Sequence, residues 1–160
     1  MALIINKSFP MFKVGYPTVS DKYDVEGGIL TGTESVEFGE LVCRSGTTGY
    51  YEKFSTAKKT DVAGFVLATN VKLAAEWGKD AVKVEPGEAF NLLLDGYIAI
   101  KLAANAVESN IKPGSKVAVT DANGSLTTSG VESTTDLTNC TFTGVYEKQG
   151  AQIVAEIRVK

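Results

Sequence analysis

The feature that most constrains this chain is a succession of short β-prone segments with turn residues between them. Residues 81–85 and 151–160 alternate apolar and polar side chains, which is the pattern of a strand with one buried face. Residues 116–120 form a similar segment, and Pro86-Gly87 and residues 121–125 are turn signals beside these segments. Short strands with closely spaced turns are typical of a β-barrel or β-sandwich.

The remaining β-prone segments leave two alternatives open. Residues 36–44 form one strand or two strands broken at Gly39. Asp95-Gly96 is either the two-residue turn of a hairpin or a glycine bulge inside one long strand. We expect a loop at residues 129–139, which are rich in serine and threonine. Further strands are predicted at residues 48–54, 63–69, 89–94, 97–102, 126–128 and 141–148.

The N-terminal part of the chain follows neither the strand period nor the helix period for long. We therefore divide the chain into an irregular N-terminal arm at residues 1–33 and a β-barrel domain at residues 34–160. The most credible helix is at residues 71–77, where Leu73, Ala74 and Trp77 share a face. The predicted fold is all-β: a small antiparallel β-barrel or sandwich with an irregular N-terminal arm and at most one short helix.

The absence of histidine restricts the chemistry available to this chain, which contains none among its 160 residues. Histidine is the most common acid or base near neutral pH and the most common ligand of transition metals. Catalytic triads that use histidine are therefore excluded. Cys43 and Cys140 stand 97 positions apart, which supplies no zinc-ligand spacing. We predict no enzymatic activity and no catalytic, cofactor-binding or metal-binding residues.

Two groups of acidic residues could still serve chemistry. Glu85, Glu88 and Asp95 are near one another in sequence, and glycosidases use carboxylate pairs. The segment 121–124 carries oxygen ligands as calcium loops do, although it lacks the closing glutamate. We interpret both groups as turn residues.

The two cysteines form either a long-range disulfide or a pair of small buried thiols. Both lie in predicted strands, and the protein is expected to fold in a reducing cytoplasm. We favour the buried thiols, which behave as small apolar side chains.

Charge and hydropathy argue against two classes of partner. The formal net charge is −3, and the 16 basic residues are scattered along the chain instead of forming a basic stripe. We therefore expect no nucleic-acid partner. We expect no membrane partner either, since the sequence has no run of 18 or more apolar residues.

Aromatic and sulfur-containing residues of the arm, and a tyrosine pair in a predicted strand, are candidates for protein contacts. Side chains of these types often anchor interfaces. Strand alternation places at least one of the two tyrosines on the surface. The candidate interface residues are Phe9, Met11, Phe12, Tyr16, Pro17, Tyr50 and Tyr51.

The order of the motifs along the chain resembles that of the tailed-phage structural cement proteins, which decorate capsids. A Gly-Tyr-Pro turn at residues 15–17 precedes the motifs that carry the resemblance, which covers about residues 10–130. These motifs are residues 37–42, 62–67, 84–88, 94–100, 111–119 and 124–126. Residues 140–160 match less clearly, and we interpret them as a closing hairpin of the same barrel.

The resemblance implies a virion protein, made in the host cytoplasm, that binds the outer face of an assembled phage capsid and stabilises it. The implied partners are the major capsid protein and other copies of the chain, as a homotrimer. Two other classes of function stay open from sequence. One is a different phage module, such as a head-fibre base, a tail component or a carbohydrate-binding β domain. The other is a small enzyme that uses carboxylates alone.

Overall fold

The computed structural model describes residues 13–18, 23–68 and 83–160. Eleven strands and two single-turn 3-10 helices form this described part, and the helix predicted at residues 71–77 lies outside it. The 3-10 turns are Thr56–Lys58 and Glu108–Asn110. The strands are β1 (Asp24–Leu30), β2 (Val36–Glu37), β3 (Leu41–Arg44), β4 (Tyr50–Lys53), β5 (Val62–Val66), β6 (Lys83–Val84), β7 (Ala89–Lys101), β8 (Lys116–Thr120), β9 (Leu126–Thr128), β10 (Thr134–Gln149) and β11 (Gln152–Val159). The all-β prediction is confirmed, and the segment 36–44 contains two strands.

Five strands close into a small barrel. The ring runs β1-β4-β3-β5-β7 and returns to β1, which pairs with the first half of β7. Only β1 and β4 are parallel, and there Ile29 pairs with Tyr50. Closure leaves these five strands without a long free edge. β1 lies in the stretch that we expected to be irregular. Its two glycines and its polar residues do not follow the strand alternation, although the strand is paired on both sides.

A bulge in β7 marks the end of the barrel. Val25 pairs with Leu93 and Asp24 pairs with Asp95, so β7 has one extra residue between these two pairs. Gly96 follows with φ 142°, a conformation that glycine adopts at little cost. Of the two alternatives at Asp95-Gly96, the bulge inside one long strand is the one that forms.

Beyond the bulge, β7 continues into a second part of the same sheet. Gly96–Lys101 pairs with β11, followed by β10, β8 and β9. The predicted C-terminal hairpin is therefore present, but it pairs with the second half of β7 and is not part of the closed ring. The loop predicted at residues 129–139 is wrong in its second half, because β10 begins at Thr134 and pairs there with β8. Threonine is β-branched and favours a strand when a partner is available.

The two faces of the barrel strands build two separate cores. Cross-strand partners share a face, so the register assigns side chains to the inside or the outside of the ring. The barrel core comprises Leu30, Val36, Phe38, Val42, Tyr51, Val66, Val84, Phe90 and Leu92. The outward residues Leu41, Phe65 and Leu93 instead pack with apolar side chains of β8 to β11 in a larger core. One part of the outer barrel surface, on β1 and β4, is left exposed.

Candidate interaction surface

The tyrosine pair of β4 divides between core and surface. Tyr51 is 1% exposed, and its ring meets Phe90 edge to face with centroids 5.9 Å apart. Burial and the nearby Glu26 carboxylate raise the pKa of Tyr51 to about 12. Tyr50 points outward and is 39% exposed. The expected alternation is confirmed, and Tyr51 lies in the core instead of on an interaction surface.

Tyr50 belongs to a shallow apolar depression on the outer face of the barrel, which we call the β1–β4 groove. Its lining residues are Gly27, Gly28, Ile29, Gly49, Tyr50, Ala89, Phe90 and Asn91. Ile29 is 36% exposed and lies beside Tyr50 because the two residues are paired in register. Gly27 keeps the floor low beside Asn91, since it presents no side chain there.

Two surface residues of this groove, Ile29 and Asn91, were not predicted from the sequence. The available signal was the Gly27-Gly28 pair, which is unfavourable inside a strand unless something approaches the backbone closely. A Cβ on Gly28 would lie 2.3 Å from the Tyr51 ring, which explains this glycine. To place Ile29 beside Tyr50, one would also have to predict that β1 and β4 pair in parallel.

The base of the arm is held against β7. Pro17 bridges to Ile98, and the Gly15 amide donates to the Ala99 carbonyl at 2.8 Å. Tyr16 and Pro17 are both half-buried. These two residues therefore anchor the arm on its own sheet and present only part of their surfaces to a partner. Phe9, Met11 and Phe12 lie outside the described residues.

Two of the three carboxylates considered for catalysis, those of Glu88 and Asp95, have partners within the protein. Glu88 accepts a hydrogen bond from the Glu85 amide at 2.8 Å across the turn. Asp95 accepts from Arg158, with 2.6 Å between Oδ1 and Nη1, at the β7 bulge. Arg158 also lies over the Tyr97 ring, with 4.9 Å from Cζ to the ring centroid. These contacts give Glu88 and Asp95 structural roles at a turn and a bulge.

The side-chain oxygens of Asp121 and Asn123 accept hydrogen bonds within the protein, from β10 and within the β8–β9 turn respectively. Asn123 Oδ1 accepts from the Ser125 amide at 3.1 Å, and Asp121 Oδ1 accepts from the Thr135 hydroxyl at 2.8 Å. Within the described ranges, no cluster of three or more metal-ligating side chains occurs.

Both cysteines are free and buried, in agreement with the interpretation as small apolar thiols. Burial raises the pKa of the Cys140 thiol to about 12. Burial likewise raises the pKa of the Cys43 thiol to about 11. The thiolate is the reactive form of cysteine, so we expect both thiols to react slowly in the folded state.

No helix in the part of the chain that the structure describes is long and apolar enough to cross a membrane.

Comparison with known proteins defines the family. The model of the structural cement protein family (E217 gp24/Pam3 gp6) matches residues 6–160. A solved structure titled "The capsid of Myoviridae Phage XM1" contains a chain with a TM-score of 0.67 and 14% identity, over 99% of this chain and 96% of that chain. At that identity the likeness shows the fold alone. A search of curated proteins found no match.

The closed barrel, continued through β7 into β11, β10, β8 and β9, defines an all-β fold. The chain belongs to the phage structural cement protein family, because the family model matches nearly its full length. It is a structural component of a phage capsid, as the resemblance implied.

Proposed function

We propose that this protein binds the outer face of an assembled capsid and reinforces it without catalysing a reaction. Its partners are the major capsid protein and further copies of itself, in a homotrimer. The observation that carries the proposal is the match to the structural cement family over residues 6–160. The internal partners of Glu88 and Asp95 support the non-enzymatic part, because these carboxylates already stabilise a turn and a bulge.

Reinforcement requires interface area between neighbouring subunits. A specific protein interface of ordinary size buries about 1,600 Å² in total. A rigid sheet supplies a surface that keeps its shape on binding, and an arm adds contacts that lie along a neighbour. We propose that this protein contacts its neighbours on the capsid through three arm residues, through the exposed parts of Tyr16 and Pro17, and through Tyr50. The three arm residues are Phe9, Met11 and Phe12.

Sedimentation with capsids that lack the protein tests the binding. The purified protein is expected to pellet with mature capsids and to raise their temperature of disruption. A variant that lacks residues 1–12 keeps the hydrogen bonds of Gly15 to Ala99 in β7 and to Ala68, so its barrel is expected to stay folded. We expect this variant to bind capsids at least roughly tenfold more weakly, which corresponds to the loss of about 1.4 kcal/mol. Failure of the intact protein to pellet with any mature capsid would overturn the proposal.

Light scattering of the purified protein tests the self-association. One chain has a mass of 17.0 kDa, so a trimer of three chains has a mass of 51 kDa. A mass of 17 kDa at every concentration, together with single copies on the capsid, would contradict the homotrimer.

A further inference from the structure

We propose that Asn123 is a deamidation site whose reaction is held back by the folded β8–β9 turn. Asparagine is a thermolabile residue, and Asn123 is the only asparagine of the chain that is followed by glycine. Glycine has no side chain that could shield its backbone nitrogen from reaction with the preceding residue. This inference goes beyond the proposed capsid role and does not rest on it.

The reaction joins the backbone nitrogen of Gly124 to the side-chain carbonyl carbon of Asn123. The bond between this nitrogen and Cγ forms, the bond between Cγ and Nδ2 breaks, and ammonia leaves with the proton of the Gly124 nitrogen. Water then opens the cyclic imide at either of its carbonyls. Opening at Cγ gives aspartate, whereas opening at the main-chain carbonyl gives isoaspartate, which has one additional carbon in the main chain.

The turn engages both reacting groups of this site. The Gly124 amide donates to the Thr120 carbonyl at 3.0 Å, so the proton that must leave is held in a hydrogen bond. Asn123 Oδ1 accepts from the Ser125 amide at 3.1 Å and from the Thr120 hydroxyl. Ring closure moves Cγ to bonding distance of the Gly124 nitrogen, which pulls Oδ1 away from these two donors. The closed turn therefore opposes the reaction.

Packing against the barrel limits the opening of the turn. A Cβ on Gly124 would lie 2.8 Å from Cδ1 of Phe54, so the turn lies directly on this ring. Phe54 follows β4 and is buried, which leaves the ring little room to move. Asn123 itself is exposed, so water reaches the site when the turn opens. Protection of the site therefore depends on the turn remaining closed.

The product changes the contact between the turn and the barrel. Aspartate adds one negative charge at position 123, and isoaspartate also lengthens the main chain next to Gly124. A longer main chain displaces Gly124 from the Phe54 ring. A copy whose turn has opened for long enough therefore acquires a permanent change where the barrel meets β8 and β9.

Peptide mapping by mass spectrometry tests the inference on the full chain. The protein is incubated at pH 8 in buffer and in guanidinium chloride that unfolds it, and the conversion of Asn123 to aspartate and isoaspartate is followed with time. We expect conversion under both conditions. The folded protein is expected to react roughly tenfold or more slowly, because the reaction requires opening of the turn.

Two matched threonine variants separate the effect of the turn from that of general stability, which denaturant titration measures for both. Thr120→Val removes the hydroxyl that donates to Asn123 Oδ1. We expect this folded variant to deamidate roughly threefold to tenfold faster than the unsubstituted protein, because one hydrogen bond of the closed turn is lost. Thr135→Val removes a hydroxyl that donates to Asp121 instead, at 2.8 Å. Its deamidation rate is expected to stay within about twofold of that of the unsubstituted protein.

Three results would overturn the inference. These are no conversion of Asn123 in denaturant, equal rates in the folded and unfolded protein, or equal rates in the folded Thr120→Val and Thr135→Val variants. If Thr120→Val does not fold, the comparison of folded and unfolded unsubstituted protein decides alone. The capsid role is tested separately by sedimentation, so it stands or fails independently of this site.

Discussion

Replacement of Gly28 by alanine tests the packing beneath the β1–β4 groove. The added Cβ would lie 2.3 Å from Cε2 and 2.4 Å from Cδ2 of Tyr51, so the ring or the strand must move. Tyr51 has little room to move, because it is 1% exposed and contacts Phe90. Overpacking of this kind costs about 1–3 kcal/mol.

The adjacent glycine provides a matched control. A Cβ on Gly27 meets only the side chain of Asn91 at 3.9 Å, which is an ordinary contact. Both substitutions lower the conformational entropy of the unfolded chain equally, so this contribution cancels in the comparison. We therefore expect Gly28→Ala to be less stable than Gly27→Ala by about 1–3 kcal/mol, or about 3–10 °C in Tm.

Urea unfolding and calorimetry of the two variants measure this difference. Repeating the Gly28→Ala substitution in a Tyr51→Leu background removes the ring that it strikes, so most of the penalty is expected to disappear there. Equal stability of Gly27→Ala and Gly28→Ala would refute the reasoning, because the Tyr51 ring would then not lie beneath β1.

Three further predictions concern individual side chains. Arg158→Ala removes the contacts at the β7 bulge and is expected to lower the free energy of unfolding by about 1–2 kcal/mol, whereas Lys160→Ala at the exposed chain end should change it by less than about 0.5 kcal/mol in urea titrations. Cys43 and Cys140 should resist a thiol reagent at pH 8 and react only in denaturant, because burial raises the pKa of both thiols; rapid labelling of the native protein would show that the cores are open. The Glu108 carboxylate has a lowered pKa because it pairs with Lys148, so its stabilising contribution is present above pH 4.5 and is lost as the pH falls through the lowered value. In the Glu108→Gln variant, the free energy of unfolding should therefore fall less steeply as the pH is lowered below 4.5. The same slope as in the unsubstituted protein would contradict the pairing.

The sequence predicted well those elements whose partners are local or whose alternation is regular. The strand at residues 116–120 has the predicted bounds, and the β10–β11 hairpin was predicted from its alternation and its turn. The bulge at Asp95-Gly96 was one of two alternatives, because the same dipeptide also closes hairpins. Only the pairing of β7 with both β1 and β11 distinguishes them, and pairing between distant segments is not encoded in local composition.

The candidate surface was predicted less completely. Tyr50 was identified as a candidate, but the neighbouring Ile29 was missed because it belongs to a stretch that appeared irregular. The groove arises from the pairing of Ile29 with Tyr50, two residues that are distant in sequence. A parallel pairing of only two residues produces no alternation pattern in the sequence. Such a surface can therefore be recognised only from the structure of the closed barrel.

The 13-residue strand β7 belongs to the barrel in its first half and to the second part of the same sheet in its second half. Tension that pulls these two halves of the protein apart therefore acts along an unbroken backbone instead of a flexible connection. Neighbouring strands share this load by shear, since ladders of hydrogen bonds on both sides of β7 must slip together. In the capsid role proposed above, a load between the two parts would therefore stretch a hydrogen-bonded strand before it could separate them.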